Sequence, residues 1–228
     1  MNWLKPLRSL LVAENCYACD RPLVSQEQYV CLRCLSQLQA TDFHQSPTKN
    51  ELYFRLAGRV KIAGAASMFY FDKGGTLQTL IKALKYEDAP QIGNYLGQYA
   101  GEMIKSGPFL DGIEAVVPVP LHRRKQRKRG YNQAEKIAEG IAGVTDIPTR
   151  SDLLTRPHHT DTQARKAGSA RWENVQSAFA VSGELPGSIL LVDDVITTGA
   201  TLEACIRAIH HANPDTQISI MSIGMARS

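Results

Sequence analysis

Residues 189–202 read ILLVDDVITTGATL, and their order carries chemistry. The apolar run Ile189–Val192 predicts a buried parallel strand, with Asp193 and Asp194 where that strand should end. Thr197, Thr198, Gly199, Ala200 and Thr201 then form a short hydroxyl- and glycine-bearing turn into a helical pattern. Ligands of open α/β sheets bind outside the carboxyl ends of strands. A helix N-terminus with unpaired backbone N–H groups favours a phosphate. The carboxylates can take vicinal hydroxyls, directly or through a divalent cation. The segment therefore suits a molecule carrying both a sugar diol and a phosphate.

The second constellation is sulfur. Cys16, Cys19, Cys31 and Cys34 form two C-x2-C pairs separated by eleven residues. Each pair can turn two thiolates toward one ion, and two pairs complete the tetrahedral four-sulfur shell that Zn²⁺ favours. An Fe–S cluster is held by the same donor set. Four thiolates leave no open coordination position, so a structural role is expected. His44 could substitute as a ligand but reads better as a solvated loop histidine, and Cys205 reads as a core thiol inside a helix.

The third is charge. Six of the seven residues from Arg123 to Arg129 are cationic, namely Arg123, Arg124, Lys125, Arg127, Lys128 and Arg129. They follow the strand-like VVPVP and precede a helical pattern, so a basic loop on the acidic pair's rim is expected. Arg and Lys there suit pyrophosphate, and the surplus suits a nucleic-acid backbone. Tyr131 is the aromatic beside the run. Residues 155–177 are polar with little apolar periodicity, which fits a lid or a flexible insertion. His158 and His159 lie in it.

These groups need elements to position them. Strands are expected over Ile62–Phe71, Ile113–Val119, Phe179–Val181, Ile189–Val192 and Ile218–Ile223. Helices are expected from Leu77 to Tyr86, over Ile92–Lys105, Tyr131–Gly143 and Gly199–Ala212. The alternation implies α/β architecture with a parallel sheet flanked by helices. Gly93, Gly97 and Gly101 recur every four residues and imply close packing on the sheet. Trp3, Leu4, Leu7, Leu10 and Leu11 suit one face of a short N-terminal helix. Residues 41–50 read as a linker, giving a metal module over 1–45 and a main domain over 46–228.

The net charge is +4 over 228 residues, too mild to fix a partner by itself. No run approaches the roughly 18 uninterrupted apolar residues of a membrane span, so no membrane insertion and a cytoplasmic setting are expected. Clustered thiols in such a chain favour metal over disulfides.

The segment LLVDDVITTGATL resembles the 5-phosphoribosyl-1-pyrophosphate (PRPP) motif of type I phosphoribosyltransferases. With the cysteine pairs and the segments LKYEDAPQIGNYLG, VPVPLHRRKQRKRGYNQAEKIA and QARKAGSARWENVQSAF, in that order, the chain is similar to the ComF family. That resemblance implies a phosphoribosyltransferase-like fold behind a zinc knuckle, in a bacterial protein of natural competence and DNA uptake. It implies that Thr197–Thr201 take the 5-phosphate of PRPP and that Asp193 and Asp194 serve as catalytic carboxylates, holding ribose and Mg²⁺. It places Gln163, Arg165, Arg171 and Asn174 on the lid, where Lys166 departs from the pattern by standing at an apolar place. Two functions stay open. One is a PRPP-binding protein whose basic rim holds single-stranded DNA, with a helicase-like competence protein as partner. The other is an active phosphoribosyltransferase that delivers ribose 5-phosphate to a nitrogenous base.

Overall fold

The computed structural model describes residues 14–157 and 178–227. Four strands form one parallel sheet: β1 (Gly64–Phe71), β2 (Ala115–Pro118), β5 (Ser188–Ile196) and β6 (Gln217–Ala226), in the order β1-β6-β5-β2. A two-residue ribbon pairs β3 (Leu154–Thr155) with β4 (Ala180–Val181). The helices are α1 (Leu32–Leu35), α2 (Glu51–Ala57), α3 (Thr76–Tyr86), α4 (Pro90–Ile104), α5 (Arg123–Arg129), α6 (Gln133–Thr145) and α7 (Ala200–Ala212).

Helices cover both faces of the sheet, which is why its strands carry apolar residues on both sides. Leu190 and Val192 of β5 pack with Leu80, Leu84, Ile92, Ile137 and Ile141 of α3, α4 and α6. Ile189 and Leu191, pointing the other way, pack with Leu52 and Leu56 of α2 and with Leu202, Ile206 and Ile209 of α7. The expected parallel sheet flanked by helices is present.

Four expectations need correction. First, the glycine stripe meets a helix rather than the sheet. A Cβ on Gly97 would sit 2.1 Å from the Ile137 carbonyl oxygen, and one on Gly140 would sit 2.2 Å from that of Asn94. Glycines on α4 and α6 thus let two backbones approach where side chains would hold them apart. Second, residues 41–50 are no loose linker. Thr41 N–H bonds to the Met68 carbonyl and Tyr70 N–H to that of Gln39, so this stretch runs along the edge of β1. Buried Asn50 then donates to the carbonyls of Ser46 and Ala65 and caps α2 through Tyr53 N–H.

Third, the basic run is a helix, α5, capped by His122 Nδ1 on the Arg124 N–H and ended by Gly130 at φ +87°. Arg, Lys and Gln are good helix formers, so propensity acts here without any apolar periodicity to announce it. Fourth, β5 does not stop at Val192. It runs through both aspartates to Ile196. The pattern turns polar there because the sheet carries a polar row: Ser67, Ser222 and Asp193 are in register across β1, β6 and β5. Each buried serine hydroxyl donates to the carbonyl two residues on, Ser67 to Phe69 and Ser222 to Gly224, so burial leaves neither unpaired.

Candidate functional site

β5 delivers the candidate cradle to the carboxyl rim of the sheet. After Ile196 the chain turns through Thr197 and Thr198 into Gly199, which caps α7 at φ +79° with no side-chain hydrogen bond at the cap. The first turn of a helix has N–H groups without intrahelical partners. Here the Gly199 cap offers no side chain, Thr198 Oγ1 takes the Ala200 N–H at 3.4 Å, and the helix dipole adds positive potential. Asp193 and residues 195–202 line a hollow of about 40 Å³ at this turn.

The turn is fixed from beneath by α2. Arg55 donates to the carbonyls of Thr197 (3.0 Å) and Ala226 (3.1 Å). Arg59 donates to the carbonyl of Thr198 (2.9 Å) and to Glu203 (3.1 Å). Arg207 bonds Glu203 and the Arg59 carbonyl, closing the network. With their carbonyl oxygens held on the α2 side, the Thr197 and Thr198 peptides are locked in one orientation. A Cβ on Gly199 would lie 2.7 Å from Leu56 Cδ2, so α2 also presses directly on the turn.

The acidic pair is divided between faces, as strand alternation requires. Asp193 lines the hollow by the turn. It is half-buried there. Desolvation, and then the Asp194 charge, push Asp193 up to about 7, against the Asp194 N–H bond (2.8 Å) and Lys85. Asp194 is buried on the other face. Lys85 Nζ on α3 reaches its Oδ1 at 3.0 Å and its Oδ2 at 2.9 Å, and the Val195 N–H adds a bond at 2.6 Å. The two carboxylates therefore do not form one grip: Asp193 opens toward the turn and Asp194 is committed to Lys85.

The α5 cations divide as well. Arg123 joins Pro118, Pro120, Gln126 and Arg156 around a cavity of about 480 Å³. Lys125, Arg127, Lys128 and Arg129 line another of about 770 Å³ with Lys85, Tyr86 and Asp88. Arg124 is exposed. Tyr131 is buried, its hydroxyl donating to the Leu84 carbonyl at 2.5 Å, so it offers no platform to a ligand. Tyr86, by contrast, is 75% exposed, with the Arg129 guanidinium 5.7 Å from its ring centre.

Beside α3 and the start of α4, the four cysteines come together. Their sulfurs all lie within 4.8 Å of one another, and none is in a disulfide. A Zn–S bond of about 2.3 Å implies tetrahedral S···S edges of about 3.8 Å, and Cys19 and Cys31 stand 3.8 Å apart. N–H groups of Ala18 and Cys31 point at Cys16 Sγ, and that of Cys34 at Cys31 Sγ, the donors a thiolate needs. Burial pushes Cys31 up, yet bonds from Cys34, Arg21 and Cys16 outweigh it and bring it down to about 6. These residues are positioned to bind a metal ion. His44 is outside this cluster. The knuckle shares its core with α3 and α4, and Tyr29 meets Tyr95 edge-on at 5.8 Å.

Gln163, Arg165, Lys166, Arg171 and Asn174, with His158 and His159, lie outside the described residues, as do Trp3, Leu4, Leu7, Leu10 and Leu11. The sequence reading missed Arg55, Arg59, Lys85 and Tyr86. Lys85 and Tyr86 stood in a quoted motif, LKYEDAPQIGNYLG, which was their one signal. Among the described residues no helix is long and apolar enough to cross a membrane.

No family model matches the chain. It is 41% identical to competence protein F of Haemophilus influenzae over 133 residues, covering 55% of this chain and 58% of that protein. It is 27% identical to the DNA utilization protein YhgH of Escherichia coli K12, covering 58% and 60%. It is 22% identical to competence protein ComFC of Bacillus subtilis, covering 88% and 86%. The first two alignments thus span under two thirds of the relatives' lengths. Among solved structures, orotate phosphoribosyltransferase from Aeropyrum pernix aligns over 76% of this chain and 78% of that one, at 19% identity and TM-score 0.35. The chain is thus similar over part or most of its length to competence and DNA-utilization proteins, in line with the ComF resemblance of its motifs.

Proposed function

We propose that this is a cytoplasmic PRPP-binding protein of DNA uptake, with a basic rim that holds single-stranded DNA. The observation that carries the PRPP half is the turn after β5: an α7 start whose Gly199 cap has no side chain, its peptides locked by Arg55 and Arg59, beside the half-buried Asp193. The 5-phosphate sits on the N–H groups of Thr197–Thr201, and Asp193 takes a ribose hydroxyl. Asp194, paired with Lys85, fixes the rim rather than the sugar. Mg²⁺ commonly binds one or two carboxylates together with substrate phosphates, and Asp193 suits it. When bound it would offset pyrophosphate charge. The knuckle holds structural Zn²⁺.

The DNA half is supported by the similarity to competence and DNA-utilization proteins and by the cations of α5. A DNA-processing helicase-like protein is the proposed partner. The position of α5 after β2, whose Pro118 pairs with Val192, supports a second reading as a phosphoribosyltransferase, in which these cations would meet the departing pyrophosphate.

The test is calorimetric titration of PRPP with Mg²⁺ into the wild type, Asp193→Asn and Asp193→Ala/Asp194→Ala. Saturable binding that both variants weaken tenfold or more supports the reading, and wild-type heats no larger than dilution reject it. Pyrophosphate release with a nucleobase present would establish the enzyme.

A further inference from the structure

The hollow between the end of α3 and α5 has features that backbone electrostatics do not explain. It is about 770 Å³ and is lined by Lys85, Tyr86, Asp88, Lys125, Arg127, Lys128, Arg129 and Gly130. Five of these side chains are cationic and one is acidic. Lys85 is already engaged by Asp194. Among the described residues no ion pair engages Lys125, Arg127 or Lys128. Lys125, Lys128 and Arg129 fall at helical spacings of three and four, so they share one face of α5.

Tyr86 stands beside this face with three quarters of its surface open. Among the described residues most large apolar and aromatic side chains are buried, so its exposure is a cost the packing does not recover. Arg129 is held between two partners, its guanidinium bonded to Gln133 and lying 5.7 Å from the Tyr86 ring centre. That contact restrains both side chains. A restrained ring flanked by cations suits a ligand with a flat face and repeated negative charge.

We infer that this hollow is a base-stacking site for single-stranded DNA, with Tyr86 as the platform and the Lys125–Lys128–Arg129 face tracking the phosphates. Single strands expose base faces, which a duplex conceals, and aromatic stacking beside a cationic groove is the recurring way proteins hold them. An acidic peptide would use the cations and leave the ring idle. The inference deepens the DNA half of the proposed function and rests on it. The site is distinct from the turn at Gly199, and Lys85, which lines this hollow and holds Asp194, links the two.

The test uses the full zinc-loaded chain and fluorescence anisotropy with labelled oligo(dT), an abasic oligomer of equal length and a poly-glutamate peptide, across a salt series. Tyr86→Ala should weaken oligo(dT) binding about tenfold and leave abasic binding unchanged, while Tyr86→Phe restores the wild-type value. Lys125→Gln/Lys128→Gln should weaken both oligomers and make the log–log salt slope shallower by about 1.4. Absence of wild-type oligo(dT) binding would reject the DNA reading as a whole. Oligo(dT) binding that Tyr86→Ala leaves intact, or poly-glutamate binding of equal strength, would overturn this site alone.

Discussion

Lys85, in the last turn of α3, and Asp194, inside β5, form a bidentate contact of 2.9 and 3.0 Å although 109 residues separate them. This pair ties a helix to the sheet at the rim where Asp193 opens to the candidate phosphate turn. Removing one partner of a buried pair leaves the other charge uncompensated. Lys85→Met should therefore destabilise the chain by about 3 kcal/mol, measured by urea denaturation. Lys85→Met/Asp194→Leu should recover most of that loss, and a double variant no more stable than the single would refute the pairing.

Asp193 gives a pH signature. Burial raises its folded-state value to about 7 from an ordinary 3.8, so the folded chain holds this proton more tightly than the unfolded one. Its contribution is favourable below the unfolded value and is lost as pH climbs toward 7, becoming flat above. In EDTA, wild-type stability should fall between pH 4 and 7 more steeply than that of Asp193→Asn. Parallel profiles would count against that raised value.

The glycine contact between α4 and α6 separates two substitutions of the same kind. Gly97→Ala places a methyl 2.1 Å from the Ile137 carbonyl oxygen, and the helices must part, at about 3 kcal/mol. A Cβ at Gly143, on α6, meets nothing within 4 Å, so Gly143→Ala should gain about 0.5–1 kcal/mol from helix propensity. Thermal melts of both variants decide it, and equal effects would place the interface elsewhere.

At the turn, Gly199→Ala forces a residue with a Cβ into φ +79°, costing about 1–2 kcal/mol, and pushes against Leu56. Ribose 5-phosphate affinity should fall at least tenfold relative to wild type by calorimetry. Arg59→Gln, which frees the Thr198 carbonyl, should fall in the same direction by less. Unchanged affinity in both would remove the turn as the phosphate site.

Chelation should lower the melting temperature of the whole chain, because Cys16, Val30, Cys31 and Cys34 share a core with α3 and α4. Zinc released by a thiol reagent should be one ion per chain, and Cys31→Ser should bind less. A melt unaltered by chelator would show that the knuckle folds on its thiols alone.

What the sequence revealed depended on distance along the chain. The cysteine pairs, β5 and α7 were legible because each is a local pattern of types at short spacing. The basic run looked like a loop because helix propensity without an apolar stripe leaves no period to read. The two faces of the acidic pair were hidden because β5 continues through a buried polar row shared with Ser67 and Ser222, a property of three strands at once. Arg55 and Arg59 reach the Thr197–Thr198 turn across 142 and 139 residues, and nothing in their neighbourhood marks them. The glycine stripe announced a close approach but not its partner.

The helix α3 shares its apolar core with the cysteine knuckle and ends in Lys85 and Tyr86. An ion among the four sulfurs therefore has a short mechanical route to the rim. Stripping it would slacken the prop under that last turn, so that the lysine clamping Asp194 and the open tyrosine would lose their footing together.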